Sequence, residues 1–254
     1  MRSPFDLTGM LAVVTGCRRG IGLAMADALA AAGADIIGVS ASLEPSGSEA
    51  QRRVESRGRT FRACPTDLSD VEAVRALAQD LSTHRPAVDI LVNNAGTIRR
   101  APAIHHGDSD WQHVLDVDLT APFILAREIG RSMLERGRGK IIFTASMLSF
   151  QGGINVASYA AAKSGIAGLT RALANEWAAH GVNVNAIAPG YIATDNTQAL
   201  QDDAERNASI VSRIPAARWG TPADIAGPTV FLASEAADYV HGAVLPVDGG
   251  WLGR

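Results

Sequence analysis

Leu11-Ala12-Val13-Val14-Thr15-Gly16-Cys17-Arg18-Arg19-Gly20-Ile21-Gly22 runs an apolar, strand-like segment into a glycine-rich turn, and Ala-rich sequence follows it as far as Ala32. Three glycines between a strand and a helix mean that backbone must come close to something there. Free N–H groups at the helix start and the helix dipole favour an anion, and glycines remove the side chains that would hold it away. The turn therefore reads as the pyrophosphate end of a dinucleotide site; a glycine-rich βα turn without a ligand is the plainer alternative.

Outward from this stretch, short apolar runs alternate with helical sequence along the whole chain. The expected strands are Leu11–Val14, Ile36–Val39, Val88–Val92, Lys140–Thr144, Val182–Ile187 and Ala243–Val247. Their continuous apolar character suits a sheet covered on both faces. Val71, Val74, Ala78 and Leu81 recur at helical spacing behind an expected capping box from Ser69 to Glu72. Further helices are expected over 21–32, 110–134, 159–179 and 223–232, each long enough to cross back over a sheet. The pattern predicts a single-domain α/β fold, a Rossmann-type doubly wound parallel sheet with helices on both faces, spanning 1–254. Pro246 cannot donate to a ladder, so its strand is expected at a sheet edge. Gln201 to Pro215 begins without apolar periodicity and reads as a mobile flap within a substrate-covering region at about 192–220.

With 254 residues, 47% hydrophobic and 19% charged, the chain can bury a sizeable core. Lys and Arg number 23 against 26 Asp and Glu, and a net charge of −3 excludes a purely electrostatic binder of nucleic acid or anionic membrane. Two cysteines, Cys17 and Cys64, make neither a disulfide framework nor a zinc site. Met1 to Gly9 holds no apolar leader core, and no apolar run reaches membrane-spanning length, so a cytoplasmic protein is expected. His105 and His106 lack partners at ligand spacing, and no metal is expected. Cys17, beside two arginines, is either an activated thiol or, more commonly, a small packing residue.

The chemistry is expected at Tyr159-Ala160-Ala161-Ala162-Lys163, which sets a phenol and an ammonium one helical turn apart. A neighbouring cation favours phenolate, so the tyrosine can serve as acid or base near neutrality. Ser146 ends the strand Lys140–Thr144, thirteen residues before the tyrosine. Its hydroxyl can bond a reacting oxygen while Tyr159 moves the proton.

The glycine spacing Gly16-x3-Gly20-x-Gly22, Asn93-Asn94-Ala95-Gly96 after a strand, Pro189-Gly190, and Ser146, Tyr159 and Lys163 in order resemble the short-chain dehydrogenase/reductase family over essentially the whole chain. The resemblance implies alcohol–ketone interconversion with NAD(P), with Lys163 also holding the nicotinamide ribose beside Tyr159. It implies cofactor contacts from Gly16, Arg18, Arg19, Gly20, Ile21 and Gly22 in the loop, and from Asp67 and Leu68 at the adenine. Asn93, Ala95 and Gly96 are implied for the wall, and Pro189, Gly190, Ile192 and Thr194 for the nicotinamide end. The family's helical asparagine aligns with Asp118, a doubtful catalytic position whose carboxylate would compete for the charge of Lys163. The long helices starting near Asp110 and Tyr159 imply a homotetramer.

Cofactor choice is expected at Ser40, where an acid would repel a 2′-phosphate. With serine there, and Arg18 and Arg19 close by, NADP is favoured over NAD, although Glu44 follows. Residues 146–153, 185–191 and 213–220 resemble the family's 2-deoxy-D-gluconate 3-dehydrogenases and gluconate 5-dehydrogenases. A sugar-acid substrate follows, with Arg99 and Arg100 for a carboxylate and Ser146, Gln151 and Asn155 for hydroxyls. A 3-ketoacyl thioester reductase and a weakly catalytic cofactor-binding protein are the alternatives.

Overall fold

The computed structural model describes residues 3–254; Met1 and Arg2, the start of the stretch read as lacking a leader, lie outside the described residues. The strands are β1 (Leu11–Thr15), β2 (Asp35–Ser40), β3 (Phe61–Pro65), β4 (Ile90–Asn93), β5 (Gly139–Thr144), β6 (Val182–Pro189) and β7 (Val244–Val247). The α-helices are α1 (Gly20–Ala31), α2 (Glu49–Ser56), α3 (Val71–Thr83), α4 (Asp108–Leu115), α5 (Ala121–Arg136), α6 (Ala157–Trp177), α7 (Gln198–Asp202), α8 (Ala204–Val211) and α9 (Pro222–Ala233). All seven strands pair in parallel in the order β3-β2-β1-β4-β5-β6-β7.

Strand alternation splits the core into two layers. Leu11 and Val13 of β1 join one apolar layer with α3, α5 and α6, while Ala12 and Val14 join the other with α1 and α9. The order reverses direction beside β1, between β1 and β4. In an open α/β sheet that crevice, outside the carboxyl ends of the strands, is where a ligand binds.

Pro246 does lie in an edge strand, where its missing N–H costs nothing. The opposite edge, β3, escapes the sequence pattern because Phe-Arg-Ala-Cys-Pro is short and half exposed, with Arg62 turned outward to Asp80 at 2.8 Å. The helix expected at Val71 has its N-cap one residue later than the capping box implies. Asp70 accepts from the Glu72 and Ala73 amides at 3.0 and 3.1 Å, while the Ser69 hydroxyl donates to Asp67.

The single helix expected over 110–134 is divided into α4, a π-helical turn (Asp116–Thr120) and α5. Pro122 has no N–H to return to the carbonyl four residues back, that of Asp118, and the Ala121 amide bonds the Asp116 carbonyl instead. The stretch 201–215, read as a mobile flap, holds the end of α7 and all of α8. Ile210 and Ile214 bury themselves against Met147 and Trp251.

Candidate active site

A cleft of about 990 Å³ opens at the carboxyl ends of the strands. At one end Thr15, the last residue of β1, accepts the amides of Asn94 and Ala95 at 2.9 and 3.0 Å through its hydroxyl. Its carbonyl takes the Asn94 amide group at 3.0 Å. This clamp presses the turn after β4 onto the glycine loop. A Cβ on Gly22 would lie 2.2 Å from the Gly16 carbonyl oxygen and 2.4 Å from Asn94 Nδ2. Gly16 and Gly22 thus answer to the chain's own packing rather than to a ligand alone. Asn94, part of the quoted motif but given no role of its own there, lines the cleft; Asn93 is buried, and its side chain is not part of the wall.

The start of α1 faces this end. No side chain caps it and no acid occupies its first turn, so its N–H groups are open to the cleft between Gly16 and Gly22. A nucleotide diphosphate matches such a row of free donors at a positive helix end. Ser40, Asp67 and Leu68 continue the wall toward an adenosine. Asp67 accepts the Ser69 amide and hydroxyl at 2.9 and 2.8 Å, and these bonds hold its carboxyl below the usual value. The residues therefore fit a bound dinucleotide.

Arg18 reaches back to Glu44 at 3.4 Å, and Arg19 pairs across the cleft with Asp195, next to Thr194. Cys17 points into the core instead. Burial pushes its thiol up to about 11, which leaves it a packing residue rather than a nucleophile.

At the other end, the strand β5 delivers Ser146 and the helix α6 delivers Tyr159 and Lys163, and two side chains sew these elements together. The Ser149 hydroxyl donates to the Lys163 carbonyl at 2.6 Å, and Ser164 donates to the Leu148 carbonyl at 3.3 Å. Ser146 begins the intervening turn and accepts the Leu148 amide at 3.2 Å. Lys163 Nζ donates to the Thr144 carbonyl at 2.9 Å and stands 5.4 Å from the Tyr159 ring centre.

Lys163 also faces Asp118, 3.2 Å from Nζ to Oδ2, with both side chains almost fully buried. The other carboxylate oxygen accepts the Thr97 amide at 2.7 Å. Burial pushes the Asp118 carboxyl up, against the pull of Lys163 and the Thr97 amide. For Lys163 burial works against the charge, but Asp118 and Tyr159 together outweigh it and raise the ammonium's pKa. A Cβ on Gly96 would come within 3.1 Å of Asp118 Oδ2 and 3.6 Å of Lys163 Nζ, so a side chain there would crowd the Asp118 carboxylate.

Ser146, Tyr159, Lys163, Arg99, Arg100 and Gln151 all line the cleft, as do Ala95, Gly96, Gly190 and Thr194. Some expected contacts fall elsewhere. Pro189 is the buried end of β6 and Ile192 packs in the core, bridged to Gly220; neither belongs to the cleft wall. Asn155 is an exposed residue with φ 61°, and what it supplies is a carbonyl for the Ala101 amide. Arg99 is already paired with Asp110 at 3.4 Å. Arg206, Arg213 and Trp251 line the cleft without having been singled out, because they reach it only once α8 and the chain end fold over.

A family model described as enoyl-(acyl carrier protein) reductase matches residues 16–252. The 2-dehydro-3-deoxy-D-gluconate 5-dehydrogenase of Pseudoalteromonas atlantica is 59% identical over all of both chains. A crystal structure from Agrobacterium tumefaciens, assigned as a 2-deoxy-D-gluconate 3-dehydrogenase with bound NADP, superposes with a TM-score of 0.93 at 51% identity, covering all of both chains. The 3-oxoacyl-[acyl-carrier-protein] reductase of Vibrio harveyi is more distant, 38% identical over 96% of this chain and 98% of its own. Matched from the glycine loop to Trp251 and built around the same sheet, the chain belongs to the short-chain dehydrogenase/reductase family, oxidoreductases that act on CH–OH groups with NAD(P).

Proposed function

We propose that this enzyme oxidises a secondary hydroxyl of a short sugar acid to a ketone with NADP, the 5-hydroxyl of 2-dehydro-3-deoxy-D-gluconate being the first candidate. The observation that carries this reading is the full-length likeness to the Pseudoalteromonas relative. The cleft's own chemistry supports it, since arginines and a glutamine suit a hydroxylated acid.

Bound nicotinamide supplies the two-electron acceptor for the substrate carbon. The residues of the chain do the rest. Ser146 Oγ bonds the substrate oxygen and fixes it beside Tyr159. Tyr159 Oη takes the hydroxyl proton as the C–H bond breaks, and the buried Lys163 cation stabilises the phenolate that must receive it. Arg18 and Ser40 receive the 2′-phosphate; Arg18 in the free protein is paired with the exposed Glu44.

A second reading, reduction of a 3-ketoacyl thioester, is favoured by the 38% identity to the 3-oxoacyl-[acyl-carrier-protein] reductase of Vibrio harveyi. Nicotinamide absorbance separates the two when NAD and NADP are offered with 2-dehydro-3-deoxygluconate, gluconate, 2-deoxygluconate and an acetoacetyl thioester. The sugar acid should turn over with NADP, and Tyr159→Phe should lose at least about a hundredfold in kcat. Turnover of the thioester alone would replace the first reading by the second.

The working particle is proposed to be a homotetramer in the cytoplasm, one catalytic domain per chain, with 192–220 covering the substrate. Exposed Trp111 on α4 and Phe123 on α5 support an assembly surface, and two free cysteines suit a reducing compartment. Sedimentation at a monomer's mass would dispose of the tetramer.

A further inference from the structure

Among the described residues six arginines line the cleft, and their partners set them apart. Arg18, Arg19 and Arg99 are each engaged by a carboxylate, of Glu44, Asp195 and Asp110. Arg100, Arg206 and Arg213 have no ion pair among the described residues. A guanidinium that is to select an anion must be both uncompensated and held in place, because an unrestrained side chain loses rotamer entropy on binding.

Of the three, Arg213 is the one held by an aromatic ring. Its guanidinium carbon stands 4.2 Å from the centre of the Trp251 ring. That ring is itself fixed: its N–H donates to Gln151 Oε1 at 3.4 Å, and Tyr191 meets it edge to face at 4.9 Å, with Trp219 behind Tyr191 at 5.3 Å. Trp251 also shares an apolar cluster with Ile210, Ile214 and Met147, the residue after Ser146. The cation is thus mounted on a rigid aromatic block that adjoins the catalytic serine's turn. Stacking occupies the flat face of a guanidinium and leaves its edge donors free for a carboxylate. Gln151, its oxygen turned to Trp251, keeps its NH2 group to donate beside them.

We infer that Arg213, stacked on Trp251 and seconded by Gln151, binds the carboxylate of a short hydroxy acid and so sets the enzyme's preference for acids over neutral polyols. The assignment rests on the sugar-acid reading above, and it moves the carboxylate from Arg99 and Arg100 to Arg213.

Steady-state kinetics of the NADP-loaded enzyme on gluconate and on its neutral amide, D-gluconamide, test it. Arg213→Met keeps an unbranched side chain beside the ring and removes the charge together with the guanidinium's donors. It should raise KM for gluconate about ten- to hundredfold with kcat little changed, and leave KM for the amide as it was. Arg213→Lys should fall between, having charge without the planar fork. Equal effects on both substrates, no effect on either, or a selective loss in Arg100→Met instead, would overturn the assignment.

Tryptophan fluorescence provides a readout independent of turnover, because gluconate bound by Arg213 disturbs Trp251 directly. A saturable signal in the wild type that weakens in Arg213→Met supports the assignment even if no sugar acid is oxidised, which would defeat the functional reading alone. Oxidation of sugar acids that is indifferent to Arg213→Met would do the reverse.

Discussion

At the scale of single residues, Asp118 has the most to say about rate. Its carboxylate and the Lys163 ammonium are buried together at 3.2 Å, inside a ring formed by the Thr97 amide, the Thr144 carbonyl and the Tyr159 phenol, with His113 of α4 adding a weaker field. In the proposed mechanism, an acid in this place draws off part of the positive potential that Tyr159 needs as a base. Asp118→Asn removes that competition while the amide oxygen keeps the Thr97 bond. The ascending limb of the kcat/KM profile should then move to lower pH by about one unit. A limb that stays put would show that the charge of Asp118 is spent on Lys163 without reaching the phenol. Asp118 was visible in the sequence as an acid at an amide's position. Its competition for Lys163 was expected as well, and the 3.2 Å pair bears that out; the π turn next to Pro122 in which Asp118 sits was not.

At the scale of elements, periodicity served best where an element is buried on a whole face and least where it is short or half exposed. The central strands and α1, α3 and α6 were legible for the first reason. Strand β3 and the helices α2, α7 and α8 were not, since each shows few apolar residues and owes its place to neighbours. The entry into α3 illustrates how a cap is misread by one residue. Ser69 and Asp70 are both good N-caps, and what decides between them is that Asp67 already holds the Ser69 hydroxyl. Asp70→Ala should cost about 1 kcal/mol in chemical denaturation, leaving the Glu72 and Ala73 amides without their acceptor. Ser69→Ala should cost less in stability and instead weaken the wall at Asp67, seen as poorer cofactor affinity. Equal stability losses would mean that both side chains share the cap.

For the molecule as a whole, the parallel order β3-β2-β1-β4-β5-β6-β7 brings the glycine loop and the Ser146–Tyr159–Lys163 group to one edge of one sheet, so that cofactor and chemistry share a cleft. That much follows from strands read in sequence, whereas the wall formed by α8, Arg213 and Trp251 does not, being a matter of which surfaces meet. In the proposed function, cofactor preference likewise rests on an arrangement across elements. Arg18 and Ser40 both line the cleft, but Arg19 is turned toward Asp195. Arg18 alone is then free to exchange the exposed Glu44 carboxylate for a 2′-phosphate, a stronger and doubly charged partner. A ligand that binds only the folded state at a hundred times its Kd adds about 2.7 kcal/mol, and for a chain of this size that raises Tm by roughly 5 to 10 °C. NADP should give the larger shift of the two dinucleotides at equal concentration. Arg18→Ala should remove most of the difference by lowering the NADP shift and sparing that of NAD, and Arg19→Ala should leave the difference intact. Equal shifts for the two cofactors in the wild type would mean that Glu44 holds Arg18 too firmly for the exchange, and that the site does not distinguish a phosphate from a hydroxyl.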